Sequence, residues 1–297
     1  MPQIKEIIKI DNIRLDIYLT KIIPNYSRNQ VKELFNQNLV LINGKEAKPS
    51  YIINMNDELL VLHLLKELLI TPKNLNLEII YEDDVIMIIN KPKGLLTHPA
   101  QSSNEDSVVN HLLYHTADLS DVNGEERRGI VHRLDKETSG LLIITKTNHA
   151  HESLSLQFKN REVVKSYQTI VHNNFEEENG TINAPILRDP ITKVKMIVSK
   201  LGKEALTHFK VLKQTAGYSF LNIDLVTGRT HQIRVHLSFI NHPLIGDKTY
   251  GINDNFSDGF YLHANYLKFR HPQTNEDLEF EVELPKDFIN QLNLLFE

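Results

Sequence analysis

Residues 129–147 read GIVHRLDKETSGLLIITKT, two apolar runs around a stretch dense in charge and hydroxyls. Asp135 lies between Arg133 and Lys136, whose charges favour the ionised form of a neighbouring carboxylate. An ionised carboxylate can act as nucleophile, general base or metal ligand. A lone aspartate in a turn is more often a structural cap, so the stretch alone fits a solvated turn at least as well as a site. Three other segments place polar groups inside well-formed elements. In NKPKGLLTHPA, residues 90–100, two prolines and a glycine stiffen a loop expected to display Lys91, Lys93 and His98. In KSYQTIV, residues 165–171, Lys165 and Tyr167 alternate onto one strand face. Tyr167 fits a core aromatic with a wet hydroxyl or a platform on which a base stacks. In TGRTHQIRVHL, residues 227–237, Gly228 permits a sharp turn and Thr230 is the expected cap of a helix whose Ile233, Leu237 and Ile240 face the core. Arg229 then falls at a strand-to-helix junction, as a displayed functional group or an ordinary surface arginine.

The elements around these segments suggest a module followed by a larger domain. Over residues 13–62, Leu15, Leu19 and Ile22 recur at helical spacing, and Pro24 ends that helix. Ser27 with Gln30 forms a capping-box pattern for a second helix carrying Val31, Leu34 and Phe35. Asn43-Gly44 is a hairpin signal, because both residues tolerate the positive φ such turns require. Arg28, Lys32, Lys45 and Lys48 gather on the second helix and the hairpin, as a solvated face or a binding patch. Residues 66–76 read as a linker. From there strands dominate: LEIIYEDDVIMIINKP around an Asp-Asp turn, VVKSYQTIVHN, EALTHFKVL and YSFLNIDLVT. The apolar runs flanking HRLDKETSG read as strands as well. Helices are fewer, over SVVNHLLYHTA and HAHESLSLQF. The expected fold is α+β, a mixed and largely antiparallel sheet with flanking helices, plus a small N-terminal α/β domain. The expected boundaries are 1–66, a linker at 67–75, and 76–297.

The totals narrow the chemistry. The 297 residues contain no cysteine, which removes disulfides, thiolate zinc sites and thiol catalysis. An apolar share of 41% with 24% charged residues suits a soluble, cored protein. MPQIKEIIKI lacks the apolar core of a signal peptide and no transmembrane run is visible, which favours a cytoplasmic location. The net charge of −5 argues mildly against a global nucleic-acid binder but leaves room for a local basic patch. Fourteen histidines produce pairs such as His111 and His115 by chance, and no metal-ligand motif accompanies them, so no metal is expected.

Taken together, HRLDKETSGLL, INKPKGLLTHP, VVKSYQTIV, APILRDP with Met196, KEALTHFKVL, LVTGRTHQIRVHL, HPLIGDKTYG and LHANYLKFRHPQT resemble, in order, the RluA/RluD-type pseudouridine synthases over roughly residues 76–285. Residues 14–45 resemble the small RNA-binding domain first named from a ribosomal protein of the small subunit. Gln37-Asn38 stands there in place of Glu-Gly, and Asn56 in place of the glycine before Asp57. The resemblance implies isomerisation of uridine within RNA: the glycosidic bond breaks, the uracil turns, and it rejoins through carbon 5, with no cofactor or metal. It implies that Asp135 is the essential carboxylate, that Tyr167 stacks on the target base and assists proton movement, and that Arg229 pairs with Asp135. It further implies that Arg133 fills the space left by the flipped nucleotide, that His132 lies beside the RNA path, and that Arg28, Lys32, Lys45 and Lys48 contact RNA.

The order of the two domains is similar to that of the RluC/RluD enzymes, which implies a monomer acting on large-subunit ribosomal RNA or its precursor. A transfer-RNA or dual-substrate enzyme is the runner-up. A non-catalytic ribosome-assembly factor would be expected to lack Asp135, Tyr167 or Arg229. A metal-dependent RNA hydrolase would need a second carboxylate close to Asp135.

Overall fold

A computed structural model of the chain describes residues 4–23, 26, 28–62, 70–99, 105–256 and 258–297. Two compact units emerge, Met1–Leu69 and Ile70–Glu297.

In the first unit, strand β1 (Ile4–Ile7) precedes helices α1 (Leu15–Ile22) and α2 (Arg28–Asn36), followed by β2 (Val40–Ile42), β3 (Lys45–Glu46) and β4 (Glu58–Val61). The strands form an antiparallel sheet in the order β1-β4-β2-β3. Leu15 and Leu19 from α1 and Val31, Leu34 and Phe35 from α2 bury against Ile42, Ile53, Leu59 and Val61. Asn43 (φ 51°) and Gly44 (φ 74°) make the β2–β3 turn. The two departures from the family pattern also sit in left-handed backbone, Asn38 at φ 55° and Asn56 at φ 71°. Asparagine is the side chain that best replaces glycine there, which is why these turns persist. Lys32, Lys45 and Lys48 are exposed, while the Ser27–Gln30 box and the Arg28 side chain lie outside the described residues.

The second unit begins with β5 (Glu78–Glu82), β6 (Ile86–Lys91), α3 (Val108–His115), β7 (Ser139–Thr145), α4 (Asn148–Asn160) and β8 (Val164–His172). It continues through β9 (Asn179–Asn183), β10 (Ile186–Arg188), β11 (Met196–Val198), β12 (Leu206–Thr215), β13 (Tyr218–Leu225) and α5 (Gln232–Phe239). Strands β14 (Leu262–Arg270) and β15 (Asp277–Glu281) and helix α6 (Lys286–Phe296) close it. The nine-stranded sheet runs β5-β6-β7-β14-β8-β13-β12-β9, with β15 on β14, and only the β7–β14 pair is parallel. The protein is therefore of mixed α+β class with a largely antiparallel sheet. Alternation places Met87, Ile89, Leu142 and Ile144 on one sheet face with α3 and α5. Ile86, Ile88, Leu141 and Ile143 lie on the other with Ala150 and Leu154 of α4. Covering both faces explains why β7 is buried at every position.

Two local expectations change. Residues 70–75 belong to the second unit: Ile70 and Leu75 pack on its core, Lys73 N donates to Asn110 O at 2.9 Å, and Leu75 N donates to His111 Nδ1 at 3.1 Å. Residues 66–69 of the expected linker lie outside the described residues. Of the two apolar flanks of HRLDKETSG, only the second is a strand; the first makes a single bridge, Ile130 to Ile144. Gly129 and Thr145 reinforce it by a backbone bond of 2.9 Å. No helix among the described residues is long and apolar enough to cross a membrane.

Candidate active site

Asp135 rises from the loop that enters β7. The loop closes at once, with Thr138 N donating to Asp135 O at 3.1 Å. It returns to the sheet at Gly140, whose φ is +111° and where a Cβ would lie 2.3 Å from Ala264 O. Only glycine permits β14 to approach there, so the parallel β7–β14 pairing starts directly behind the carboxylate. Leu134 is buried, and Thr97 Oγ1 brackets its backbone by donating to Leu134 O (2.8 Å) and accepting from Leu134 N (3.2 Å).

The segment 90–100 is the frame of this loop. Lys91, expected on display, is 0% exposed. Its Nζ donates to Pro92 O (2.9 Å), Leu95 O (2.8 Å) and Lys136 O (3.1 Å), and Gly94 N donates to the same Lys136 carbonyl at 2.9 Å. The alternation of β6 turns Lys91 inward, and three carbonyls make that position tolerable for an ammonium. Burial pushes its pKa down to about 7, against the opposing charges of Glu137 and Asp135. Lys93 is half-buried, donates to Gly259 O at 3.3 Å and sits 4.2 Å above the Tyr261 ring. His98 Nε2 accepts from Arg133 Nη1 at 3.0 Å, which holds Arg133 at the cavity mouth. Burial first, and the charges of Arg133 and Arg127 as well, keep the His98 pKa near 4 and the ring neutral.

His132 also serves the loop. Its Nε2 accepts from Ile143 N at 2.9 Å, and its ring lies 4.9 Å from Phe158. Burial, with Lys165 nearby, lowers its pKa to about 3, so it is a neutral acceptor that anchors the loop to β7.

The cationic partner of Asp135 is Arg234, not Arg229. Arg234 Nη1 donates to Asp135 Oδ2 at 3.0 Å, while Nε and Nη2 grip Asp247 at 2.7 and 2.8 Å. Burial works against the Arg234 charge, but the Asp247 bonds and the two carboxylates outweigh it and raise its pKa. Asp247 in turn is held low by Arg234 despite its own burial. Arg229 stays on the rim, with its Nε donating to Glu204 O at 2.9 Å. The cause is the start of α5. Thr230 does not cap it; the helix begins after His231, in the left-handed region at φ 54°. Gln232 fixes the turn before it, its Oε1 accepting from Arg229 N (3.0 Å) and Thr227 Oγ1 (2.8 Å) and its Nε2 donating to Leu206 O (3.0 Å) and Thr207 Oγ1 (2.9 Å). That leaves Arg229 in the turn and carries Arg234 inward on the first helical turn. A usable signal was present: Arg234 lies between buried Ile233 and Val235, and an arginine so placed needs a carboxylate partner.

His231 is a further residue not anticipated at the site. Its Nε2 lies 3.9 Å from Asp135 Oδ2, and its Nδ1 is 2.8 Å from the Tyr250 hydroxyl, which accepts from Met196 N at 2.8 Å. Tyr167 faces the same cavity, 6% exposed; burial and the Asp135 charge raise its pKa, so the hydroxyl stays protonated.

These groups line a cavity of about 480 Å³, within the usual range of roughly 300–1,000 Å³ for small-ligand pockets. Arg133, Lys159, Arg161, Lys165, Arg229 and Arg234 line it against the single carboxylate of Asp135. A locally basic site therefore exists on a chain of net charge −5. The described residues contain no group of three or more His, Asp or Glu placed to hold a metal ion.

Residues 85–239 match the RNA pseudouridylate synthase family, and residues 13–59 match the S4 domain. An uncharacterized RNA pseudouridine synthase of Bacillus subtilis is 42% identical over 276 residues, covering 92% of this chain and 91% of the relative. The ribosomal large subunit pseudouridine synthase D of Neisseria meningitidis (serogroup A) is 38% identical over 297 residues, covering 95% and 78%. The structure of human RNA pseudouridylate synthase domain containing 1 superposes with a TM-score of 0.56 at 25% identity, covering 75% of this chain and 96% of the human one. The chain thus belongs to the RNA pseudouridine synthases, isomerases of uridine in RNA, and carries an S4 domain ahead of its catalytic fold.

Proposed function

We propose that the protein isomerises specific uridines of large-subunit ribosomal RNA, with Asp135 as the essential carboxylate and Tyr167 as the surface against which the flipped uracil rests. The observation that carries this reading is the placement of Asp135, held by Arg234 at 3.0 Å, beside the Tyr167 ring in a cavity lined by cations. A uracil must leave its stack to reach the carboxylate, at a cost of a few kcal/mol. Stacking on an aromatic face offsets roughly 1–3 kcal/mol of this. Attack on the anomeric carbon, addition to the pyrimidine ring and removal of the ribose 2′ proton all need the same ionised group, and Arg234 orients it for each. Tyr167, kept protonated, can donate a hydrogen bond to the base as it detaches and turns. In the N-terminal unit, exposed Lys32, Lys45 and Lys48, with Arg28 on the same helix, supply phosphate contacts. The choice of ribosomal RNA follows relatives named for the large ribosomal subunit.

Asp135→Asn is expected to abolish pseudouridine formation while the purified variant melts within a few degrees of wild type and still binds RNA. Turnover near wild type would remove Asp135 from the mechanism. Mapping pseudouridines in ribosomal and transfer RNA from cells lacking the gene tests the substrate: missing sites in transfer RNA alone would contradict the ribosomal assignment.

A further inference from the structure

Lys165 is an anomaly in the cavity. Its side chain is half-buried in the cavity wall, and that burial lowers its pKa to about 8. Yet among the described residues it has neither a hydrogen-bond acceptor nor a carboxylate partner. Its nearest aromatic is Phe158, with Nζ 5.4 Å from the ring centroid, a weak interaction beside a salt bridge. Contrast Lys91, which is fully buried but whose ammonium meets the carbonyls of Pro92, Leu95 and Lys136. A cation taken from water without a partner is costly, and the cost is recovered when a ligand supplies the anion.

The surroundings indicate which anion. Lys165 and Tyr167 stand on the same face of β8 two residues apart, about 6–7 Å along a strand. That separation is comparable to the one between the base and the phosphate of a nucleotide. Lys165 is on the side of Lys159, Arg161 and the Gly228–Arg229 turn, all of which line the cavity. At Gly228 a Cβ would meet nothing within 4 Å except Lys165 Nζ at 3.7 Å, so the turn leaves the space before the ammonium open. Asp135 does not supply the missing charge: it meets Arg234 and His231, and no ion pair joins it to Lys165.

We infer that Lys165, facing the open backbone at Gly228, binds the phosphate of the very nucleotide whose uracil lies against Tyr167. The inference rests on the placement of the base proposed above. A phosphodiester is permanently anionic, so it completes the ammonium in the bound state and draws the base-bearing nucleotide into the cavity. In the free enzyme the unpaired cation raises the local attraction for RNA. Arg161 and Arg229, tethered near each other through Glu204 at 3.3 and 2.9 Å, bound the same side of the cavity.

The test uses the full chain and a short RNA containing one target uridine. Each phosphate flanking that uridine is replaced in turn by a neutral methylphosphonate. Lys165→Met is expected to raise KM roughly 10- to 100-fold, as for loss of a charged hydrogen bond, with a smaller change in kcat. One of the two methylphosphonates should raise the wild-type KM by a similar factor yet leave KM of Lys165→Met unchanged, and Lys165→Arg should recover part of the loss. Multiplying losses at both positions would overturn the phosphate assignment, as would a loss in Lys165→Met confined to kcat, which points to a contact with the uracil instead. A second measurement needs no variant. The groups facing the ammonium are Phe158 from α4, the neutral His132 ring from the loop and the backbone at Gly228. Wild-type affinity should therefore fall as pH rises through about 8 and above, and one methylphosphonate should remove that limb. A limb that persists on both modified RNAs contradicts the inference. Failure of the wild-type enzyme to convert the unmodified RNA would strike the proposed reaction, not the role of Lys165.

Discussion

Two regions around the Asp135 cavity contrast. At the floor, polar groups are buried and nearly all are satisfied: Lys91 on its carbonyls, Thr97 on Leu134, His132 on Ile143, Arg234 between Asp135 and Asp247. At the outer rim, beyond the residues that line the cavity, the hairpin β10–β11 and the turn after it expose Ile191 (88%), Val194 (71%) and Leu201 (91%) among Arg188, Lys193 and Lys195. Met196 N donates to the Tyr250 hydroxyl at 2.8 Å, and Met196 and Val198 pack with Val235 and Tyr250, which ties that hairpin to the site. A group that takes part in bond breaking must be held within a fraction of an ångström, whereas a surface that accepts a flexible polymer gains from side chains that can rearrange. The floor is expected to be intolerant of substitution and the rim permissive.

The largest effect should come from the floor. Arg234→Met leaves Asp135 and Asp247 without their shared cation, and should cost about 3–5 kcal/mol of stability together with nearly all activity. Arg229→Met should spare both stability and kcat. Chemical denaturation and single-turnover assays on the two variants would separate them, and an equal loss in both would erase the distinction drawn between the arginines.

Lys91→Met comes next. It removes the tie between β6 and the Lys136 carbonyl, and should slow kcat roughly 10- to 100-fold, since small misplacements of a catalytic group are expensive, while KM for RNA changes little. A pure KM effect would mean that the 90–100 segment touches RNA rather than framing the loop.

Acid should weaken the floor before the rim. His98, His132 and His263, the last buried on β14 with its Nδ1 2.9 Å from Ser139 Oγ at the start of β7, have folded pKa values lowered to about 4, 3 and 4, chiefly by burial, from an ordinary 6.5. Between those values the unfolded chain binds protons that the folded chain refuses, so stability rises with pH there. It should be lost as pH falls from about 6.5 towards 4, and be insensitive to these rings above about 7. Denaturant midpoints across that range provide the measurement, with His132→Asn flattening the slope; an unchanged slope would show that its ring is not held neutral.

The smallest effect belongs to the rim. Ile191→Ser with Leu201→Ser should leave thermal stability unchanged within about 0.5 kcal/mol, as surface substitutions usually do, and shift KM by no more than a few-fold between RNAs. A large drop in kcat on a short RNA would place the hairpin in the chemistry.

Much of the architecture was legible because it depends on neighbours in the chain. Period-two alternation set Lys165 beside Tyr167, and helical spacing set Ile233 and Leu237 against the core. Asn43-Gly44 announced its hairpin through its tolerance of positive φ. Local pattern misled where polar residues are buried. Lys91 was expected on display because lysines usually are, and its carbonyl partner Lys136 is far away in the chain. Thr230 resembled a helix cap, but the helix starts one residue later without a side-chain cap, and Gln232 instead holds the preceding turn through the Arg229 amide.

The sequence by itself determined the set of chemically capable groups, the alternation that puts Lys165 and Tyr167 on one face, and the family to which the chain is similar. Only the tertiary structure decided which arginine meets Asp135. Arg229 and Arg234 are near neighbours in the chain, and the conformation at His231 sends one to the rim and the other inward to Asp135 and Asp247. A charge pair is settled by distance and desolvation in three dimensions, and neither is encoded in the spacing of a short motif.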